Sequence, residues 1–318
     1  MTPTQLRAFA TVVRLGSVKA AAESLDVTEA AVSLHVGQLR KELGDKLFSR
    51  TGSGLAFTPG GLRLASRAVE LLGLQDRTVL EVREAGEGRR LLRLAASSLF
   101  AEHAAPGLIG LFADRAEDLD VELSIHRAAE FEQLLVTRTV DATIGPRLAG
   151  AEGVIRSTLF LNYQVWAVAA PTHPIHRATP APNVLRDQVW VLGPSATEDS
   201  GVVPAMLHRL SVPESNQQIF QSHAAALEEA KRGRGIALTL SFAAQPDIAR
   251  GALKLVPGRL TQAQGSWNLA TLGGGQATPA AEEMARFVTT PRATQAMLRG
   301  RAVVHGRFKP AVHVTLWS

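Results

Sequence analysis

The 318-residue chain contains no cysteine. That excludes disulfides, thiolate nucleophiles and cysteine-ligated metals together. No apolar run reaches the roughly 18 residues that a membrane-spanning helix needs. The opening MTPTQLRAFATVVRLGS lacks a small-residue cleavage site behind an apolar core, so it does not read as a signal peptide. The nine histidines are scattered, without an H-E-x-x-H pair, and neither G-x-x-x-x-G-K nor G-x-S-x-G occurs. Gly233-Arg234-Gly235 lacks the third glycine and the preceding strand that a dinucleotide site requires. These absences leave no constellation for an enzyme, and no cofactor is expected. A soluble, cytoplasmic protein without membrane contact is the expectation.

Hydrophobic residues make up 46% and charged residues 20% of the chain, ordinary values for a folded protein. The length suits two or three packed units. The pI near 10.0 is less informative than where the charge lies. Residues 1–67 hold nine Lys/Arg against five Asp/Glu, and residues 284–318 hold six basic residues and no acidic one. Basic ends therefore flank a mildly acidic body. This distribution suits an anionic partner, and equally a solvated surface.

In the first sixty residues, Leu6, Phe9, Ala10 and Val13 follow the spacing of one buried helix face. Gly16 ends that helix and Ser17 can cap the next, whose buried face is Val18, Ala21, Ala22 and Leu25. Asp26-Val27-Thr28 makes a tight turn, with Thr28 as cap of a third helix. That helix buries Val32, Val36, Leu39 and Leu43 and ends at Gly44. A short second helix joined to a third by a compact turn reads as helix-turn-helix. Ser33, His35, Gln38, Arg40 and Lys41 point outward, and such groups reach base edges and phosphates in a major groove. A small helical bundle whose polar face meets water would look the same. Asp45–Arg50, a turn at Thr51–Gly54 and Leu55–Thr58 then read as a basic hairpin, a wing that places Arg50 and Ser53 near phosphates or the minor groove.

The segments LRAFATVVRLGSVKAAAESLDVTEAAVS and VGQLRKELGDKLFSRTGSGLAFTPGG closely resemble the LysR-type regulators, from Leu6 to Gly61. The resemblance implies DNA binding through Lys19, Thr28, Glu29, Ser33, Leu34, His35, Gln38, Lys41, Arg50 and Ser53. Three positions depart from the family. Glu29 stands where a neutral group is usual, Leu34 where Arg is frequent, and Arg40 where Glu is frequent. Glu29 can accept a hydrogen bond from a cytosine amino group but repels phosphate.

Thr58 as cap and Pro59 at the first position start a long helix. Leu62, Ala65, Val69 and Leu72, continued by Val79, form a seam that seeks a partner helix or its own domain. In the LysR-like reading it pairs with its copy in a second subunit, sets the spacing of two recognition helices, and leads to a tetramer. Gly86-Glu87-Gly88 ends it as a hinge.

From residue 91 the pattern alternates. Strands at 92–96, 121–125 and 141–145 enclose helices at about 100–115 and 130–137, a βαβαβ succession with a parallel sheet. It restarts with strands at 165–168, 189–192, 219–220 and 236–240 and a helix at about 224–231. Two similar α/β lobes imply a cleft, the periplasmic-binding-protein architecture, and VDATIG and HAAALEEAKRGRGIAL resemble LysR-type effector motifs. The whole is then α/β. Residues 1–58 form a winged helix-turn-helix, 59–88 a linker helix and 89–318 an effector domain. Lobe I takes about 89–161 and 268–318, lobe II about 162–267, with crossings near 160 and 267.

Strand ends and helix N-termini point to Ser97, Ser98, Ala129, Arg147, Ser195 and Thr197 as effector contacts, or as plain helix caps. Arg147 and the helix N-termini suggest an anion such as a carboxylate. The tail alternates at Val312, Val314 and Leu316, and Arg299, Arg301, Arg307 and Lys309 are nearby. It reads as an edge strand or as a DNA- or subunit-contacting arm. The resemblance further implies operator DNA and RNA polymerase as partners, the latter for an activator. A solute-binding protein would explain the lobes but not residues 1–61, and it would need an export signal. A nucleoid protein without inducer would leave two thirds of the chain idle.

Overall fold

The computed structural model describes residues 1–51, 54–116, 118–148, 153–299 and 308–310. The chain forms two compact units, Met1–Gly86 with Val136–Thr139 and Glu87–Leu135 with Val140–Ser318, each with its own core.

The first unit opens with α1 (Pro3–Leu15), capped by Thr2, whose hydroxyl accepts from the Gln5 N–H. Its buried face holds Leu6, Ala8, Phe9 and Val12, and Ala10 and Val13 are only half-buried. Ser17 caps α2 (Val18–Ser24) and Thr28 caps α3 (Glu29–Leu43), each accepting from the N–H three residues on. Val32, Val36 and Leu39 are buried as expected, but Leu43 is 44% exposed. The last turn of α3 outruns the small core beneath it. Gly44 closes α3 at φ 65°, where a residue without Cβ avoids strain. The expected hairpin starts later than the sequence suggests, as β1 (Phe48–Thr51) and β2 (Gly54–Phe57), because Leu47 takes φ 62° and cannot extend a strand. That left-handed backbone costs about 1–2 kcal/mol for a branched residue. Burial of the Leu47 side chain, 1% exposed, offsets it by about 1.5–3 kcal/mol.

Asp45 fixes this turn, accepting from Leu47 N–H at 2.6 Å and Thr58 Oγ1 at 2.7 Å. Thr58 in turn accepts from Gly61 N–H at 2.9 Å, capping α4 (Pro59–Glu87). Leu64 and Ala65 of α4 pack on the winged core, so Ala65 serves its own domain rather than the expected seam. Val69 and Leu72 are half-buried. Among the described side chains of α4, the strongly exposed apolar ones are Leu62, Leu71, Leu74, Val79 and Val82. The helix runs through Gly86 and Glu87 and stops at Gly88, φ 67°.

The second unit begins with β3 (Arg90–Ala96), followed by α5 (Ser98–His103) and α6 (Ala105–Ala113). One helix was expected here. Pro106, near the start of α6, lacks an N–H and forces the break at Ala104. Then come β4 (Leu119–Ile125), α7 (Phe131–Val136) and β5 (Ala142–Gly145), with β3 parallel to both strands. The chain crosses through β6 (Ile155–Ala169), far longer than its expected core at 165–168. Beyond it lie α8 (Pro182–Arg186), β7 (Trp190–Leu192), α9 (Val202–Arg209), β8 (Gln217–Ile219), α10 (His223–Lys231) and β9 (Ile236–Leu240). The strand β7 is parallel to β8 and β9. After α11 (Ser241–Ala249) and β10 (Lys254–Leu255), β11 (Gln262–Leu272) returns antiparallel to β6, with a register shift at Trp267/Asn268. The expected crossings near 160 and 267 fall within these two strands. The unit ends with α12 (Pro279–Phe287), α13 (Pro291–Arg299) and β12 (Phe308–Pro310).

The strand order is β12-β4-β3-β5-β11-β6-β9-β7-β8, with β10 on β6. The two parallel α/β lobes are thus joined by an antiparallel ribbon of two long strands. Trp267 anchors that ribbon, fully buried, with ring centroids 4.5 Å from Tyr163 and 4.9 Å from Phe100. The strand β12 lies parallel to β4, ahead of Val312, Val314 and Leu316, which fall outside the described residues. Arg301 and Arg307 fall outside them too. Among the described residues no helix is long and apolar enough to cross a membrane.

Candidate functional site

The exposed side of the first unit is built by α3 and the wing. Glu29, Ser33, Leu34, Gln38 and Lys41 are exposed on α3, and Leu34 is 60% exposed. His35 is half-buried, with Nδ1 buried and unpaired. Gln38 does not point freely, since its amide oxygen accepts from Gln5 Nε2 at 2.8 Å. Lys19 on α2, Thr28 at the cap of α3 and Arg50 on β1 are exposed as well. Ser53 falls outside the described residues.

Arg40 departs from its expected outward position. Its Nη2 donates to the Phe48 carbonyl at 2.8 Å, and its guanidinium lies 4.5 Å from the centre of the Phe48 ring. A cation on an aromatic face contributes about 0.5–1 kcal/mol. Here it locks the wing against the third helix. A cavity of about 450 Å³ opens between them, lined by Ser33, Arg40, Lys46, Ser49 and Arg50 over Val18, Val36 and Phe48. Cationic and hydroxyl groups on a concave apolar floor suit a phosphate backbone. Lys46 and Ser49 belong to this face and were not singled out from the sequence, although their place in a basic hairpin was visible there.

In the second unit, side chains from α5 meet those around β7 and α10. Ser98 donates to Glu198 Oε1 at 3.0 Å. The Glu102 carboxylate accepts from the backbone N–H of His223 at 2.7 Å and of Ala224 at 2.6 Å, so it caps α10. Its Oε2 also lies 2.8 Å from His223 Nδ1, and His223 Nε2 lies 2.9 Å from Ser195 Oγ. Burial alone would raise the Glu102 carboxyl, but these bonds from His223 and Ala224 bring it down to about 2. It is therefore ionised, and Nδ1 of His223 must donate to it. Glu198 moves the other way, pushed up by burial against the bond from Ser98. His103 is held down to about 4, first by burial and then by neighbouring His223, and stays neutral.

The structure thus places Ser98 and Ser195 in two neighbouring groups, Ser98 on Glu198 and Ser195 on His223 and Glu102, with Glu198 near enough to feel the charge of His223. Ser97 is 3% exposed at the start of α5, and its N–H donates to Ile144 O rather than to any open space. Thr197 is exposed and donates to Pro194 O, closing its own turn. Ala129 and Arg147 are exposed. Glu102, His103, Glu198 and His223 were not foreseen, because α5 and α10 lie more than a hundred residues apart in the chain.

Residues 3–62 match the family described as Bacterial regulatory helix-turn-helix protein, lysR family, and residues 85–291 match LysR substrate binding domain. The chain is 55% identical over its full length to the full length of a Mycobacterium tuberculosis protein named as an uncharacterized HTH-type transcriptional regulator. It is 32% identical to the RuBisCO operon transcriptional regulator of Allochromatium vinosum, over 54% of this chain and 56% of that one. Among solved structures it resembles the full-length LTTR LysG of Corynebacterium glutamicum with bound effector Arg. The TM-score is 0.57 at 20% identity, covering 94% of this chain and 99% of that one.

Proposed function

The chain belongs to the LysR family of DNA-binding transcriptional regulators, which are not enzymes, and from that premise we propose how this member reads DNA and senses its effector. Residues 1–58 bind duplex operator DNA, residues 59–88 join two copies, and residues 89–318 sense the effector between lobe I (about 89–161 and 268–318) and lobe II (about 162–267). In the first unit, α3 enters a major groove with Glu29, Ser33, Leu34 and His35 toward base edges. Thr28, Lys19, Lys41 and Arg50, with Lys46 and Ser49, lie along the phosphates, and Gln38 is held at the side by Gln5. Two such units on one operator need a spacer, and two dimers then form a tetramer. The regulator works on the bacterial chromosome, in the cytoplasm, and as an activator it would contact RNA polymerase.

The observation that carries the reading is the wing locked to α3 by Arg40 over Phe48, which presents helix and basic hairpin as one rigid face. The experiment is protection of the DNA upstream of the protein's own gene by the purified full chain, across a salt series. The expected result is a discrete footprint whose affinity falls steeply with salt, since each phosphate contact releases counterions. No protection, together with salt-independent binding, would remove the proposal.

The effector site is made by the neighbouring groups Ser98–Glu198 and Ser195–His223–Glu102, with Ser97 as buried support. The expectation of an anion rested on helix N-termini and on Arg147, which is exposed. Two carboxylates in these groups favour a ligand that brings hydrogen-bond donors or positive charge. Thermal-shift screening of the full chain against cationic and anionic metabolites separates the two classes. Stabilisation by anions alone would reverse this assignment.

A further inference from the structure

We propose that Glu102, His103 and His223 form a binding site for a divalent transition-metal ion of the zinc type, with ligands drawn from both lobes. One ligand atom from each of the three residues already lies within 4.8 Å of the others. Glu102 and His103 close α5, and His223 opens α10. Two imidazoles and a carboxylate, without sulfur, suit zinc, cobalt or nickel rather than calcium or magnesium.

The second observation is His103 itself. Its Nε2 is buried and makes no hydrogen bond. A buried ring nitrogen without a partner is costly in a purely structural cluster, and it is what a ligand position looks like before the metal arrives.

The Glu102–His223 pair needs little adjustment, while the His103 ligand atom, within 4.8 Å of the others, closes by up to about 1.5 Å. In a tetrahedral site with bonds of about 2.0 Å, two ligand atoms lie about 3.3 Å apart. His223 Nδ1 and Glu102 Oε2 are 2.8 Å apart, so the ion replaces the proton between them with an opening of about 0.5 Å. His223 then carries its proton on Nε2 and donates it to Ser195 Oγ, which is 2.9 Å away. A hydrogen bond to the ring nitrogen opposite the metal is the usual way a ligating histidine is oriented. Three protein ligands leave a fourth position for water or an effector group. An ion held from α5 and α10 also pins the lobes together.

The test is titration of the full chain with Co²⁺, followed by its visible absorption, and with Zn²⁺ by calorimetry. We expect one equivalent per chain and a tetrahedral cobalt spectrum. His103→Ala is the decisive variant. It removes a ligand whose Nε2 bonds to nothing, and should weaken Zn²⁺ binding by at least about 100-fold, the upper end of what losing an outer partner costs. Glu102→Gln keeps an oxygen to cap α10 and should weaken it as well. His173→Ala, at the other close histidine pair, should leave binding unchanged. Absence of the cobalt spectrum, or His103→Ala binding like the parent, would show that the cluster is only a latch between lobes. Loss of binding in His173→Ala alone would place the metal elsewhere and equally overturn the assignment. The readout is metal binding itself, so it stands apart from whether the chain protects an operator.

Discussion

Leu34 stands 60% exposed in the middle of a helix, the one large apolar group among the exposed Ala30, Ser33, Gly37 and Gln38. A large apolar group in such a place is out of keeping with a face meant only for water, and in a major groove its partner is a thymine methyl. Leu34→Ala should therefore weaken operator binding by roughly tenfold, within the 1–3 kcal/mol that one base contact carries, and leave the salt dependence unchanged. Lys41→Ala or Arg50→Ala should instead lower the slope of log affinity against log salt by about one, whatever the sequence bound. Affinity measured at several salt concentrations separates the two kinds. If Leu34→Ala changes the slope, or leaves affinity untouched, the residue does not face a base. Arg40 acts at one remove from the DNA. Arg40→Met should destabilise the wing by about 1–2 kcal/mol through the lost bond to Phe48 O and the lost ring contact. Hydrogen exchange at the β1 amides is the measurement, and unchanged protection would deny Arg40 its locking role.

At the scale of elements, the join between wing and α4 rests on backbone proximity. A Cβ on Gly61 would stand 2.0 Å from the Leu47 carbonyl oxygen, so the start of α4 lies directly on the turn that positions β1. Gly61→Ala must push one of them aside. The expected cost is about 1–3 kcal/mol, read as an earlier loss of helical signal on melting; an unchanged melt would mean that the turn yields freely. Much of this level was legible in the sequence, and for a physical reason. Ser17, Thr28 and Thr58 read as helix caps, and each accepts an N–H three residues on, because capping is decided within one turn of chain. The third helix, the strands β3 and β5, and α10 were equally local. The breaks and long strands were not. Pro106 ends a helix that hydrophobic spacing alone would continue, and β11 carries no clean alternation because its central residues are buried on both faces. The cluster of Glu102, His103 and His223 was out of reach, since its members meet only through the packing of two lobes.

At the scale of the whole molecule, the proposed pairing of two copies needs a surface that holds them at a fixed spacing. The sequence pointed to a seam of Leu62, Ala65, Val69 and Leu72 continued by Val79, but Ala65 packs on its own winged core. Apart from Leu62, which lies on the opposite side of the helix, the described apolar residues left bare are Leu71, Leu74, Val79 and Val82. At 100° per residue they fall within an arc of about 140° on one side of α4. Four aliphatic side chains in one arc of a 29-residue helix are a surface that a second copy can cover. The double variant Leu71→Asp with Leu74→Asp places two carboxylates in that surface. It leaves α3 and the wing untouched, because neither residue contributes to the winged core. Sedimentation should show a smaller assembly, and the footprint should change with it. A dimer protects two major-groove segments on one face of the duplex, about 10 base pairs or a multiple of that apart. The variant should retain weak protection at single half-sites and lose the paired pattern, with a correspondingly smaller salt slope because half the phosphate contacts are gone. Paired protection that persists in the variant would mean that copies are held together elsewhere, and the apolar arc of α4 would then need another partner.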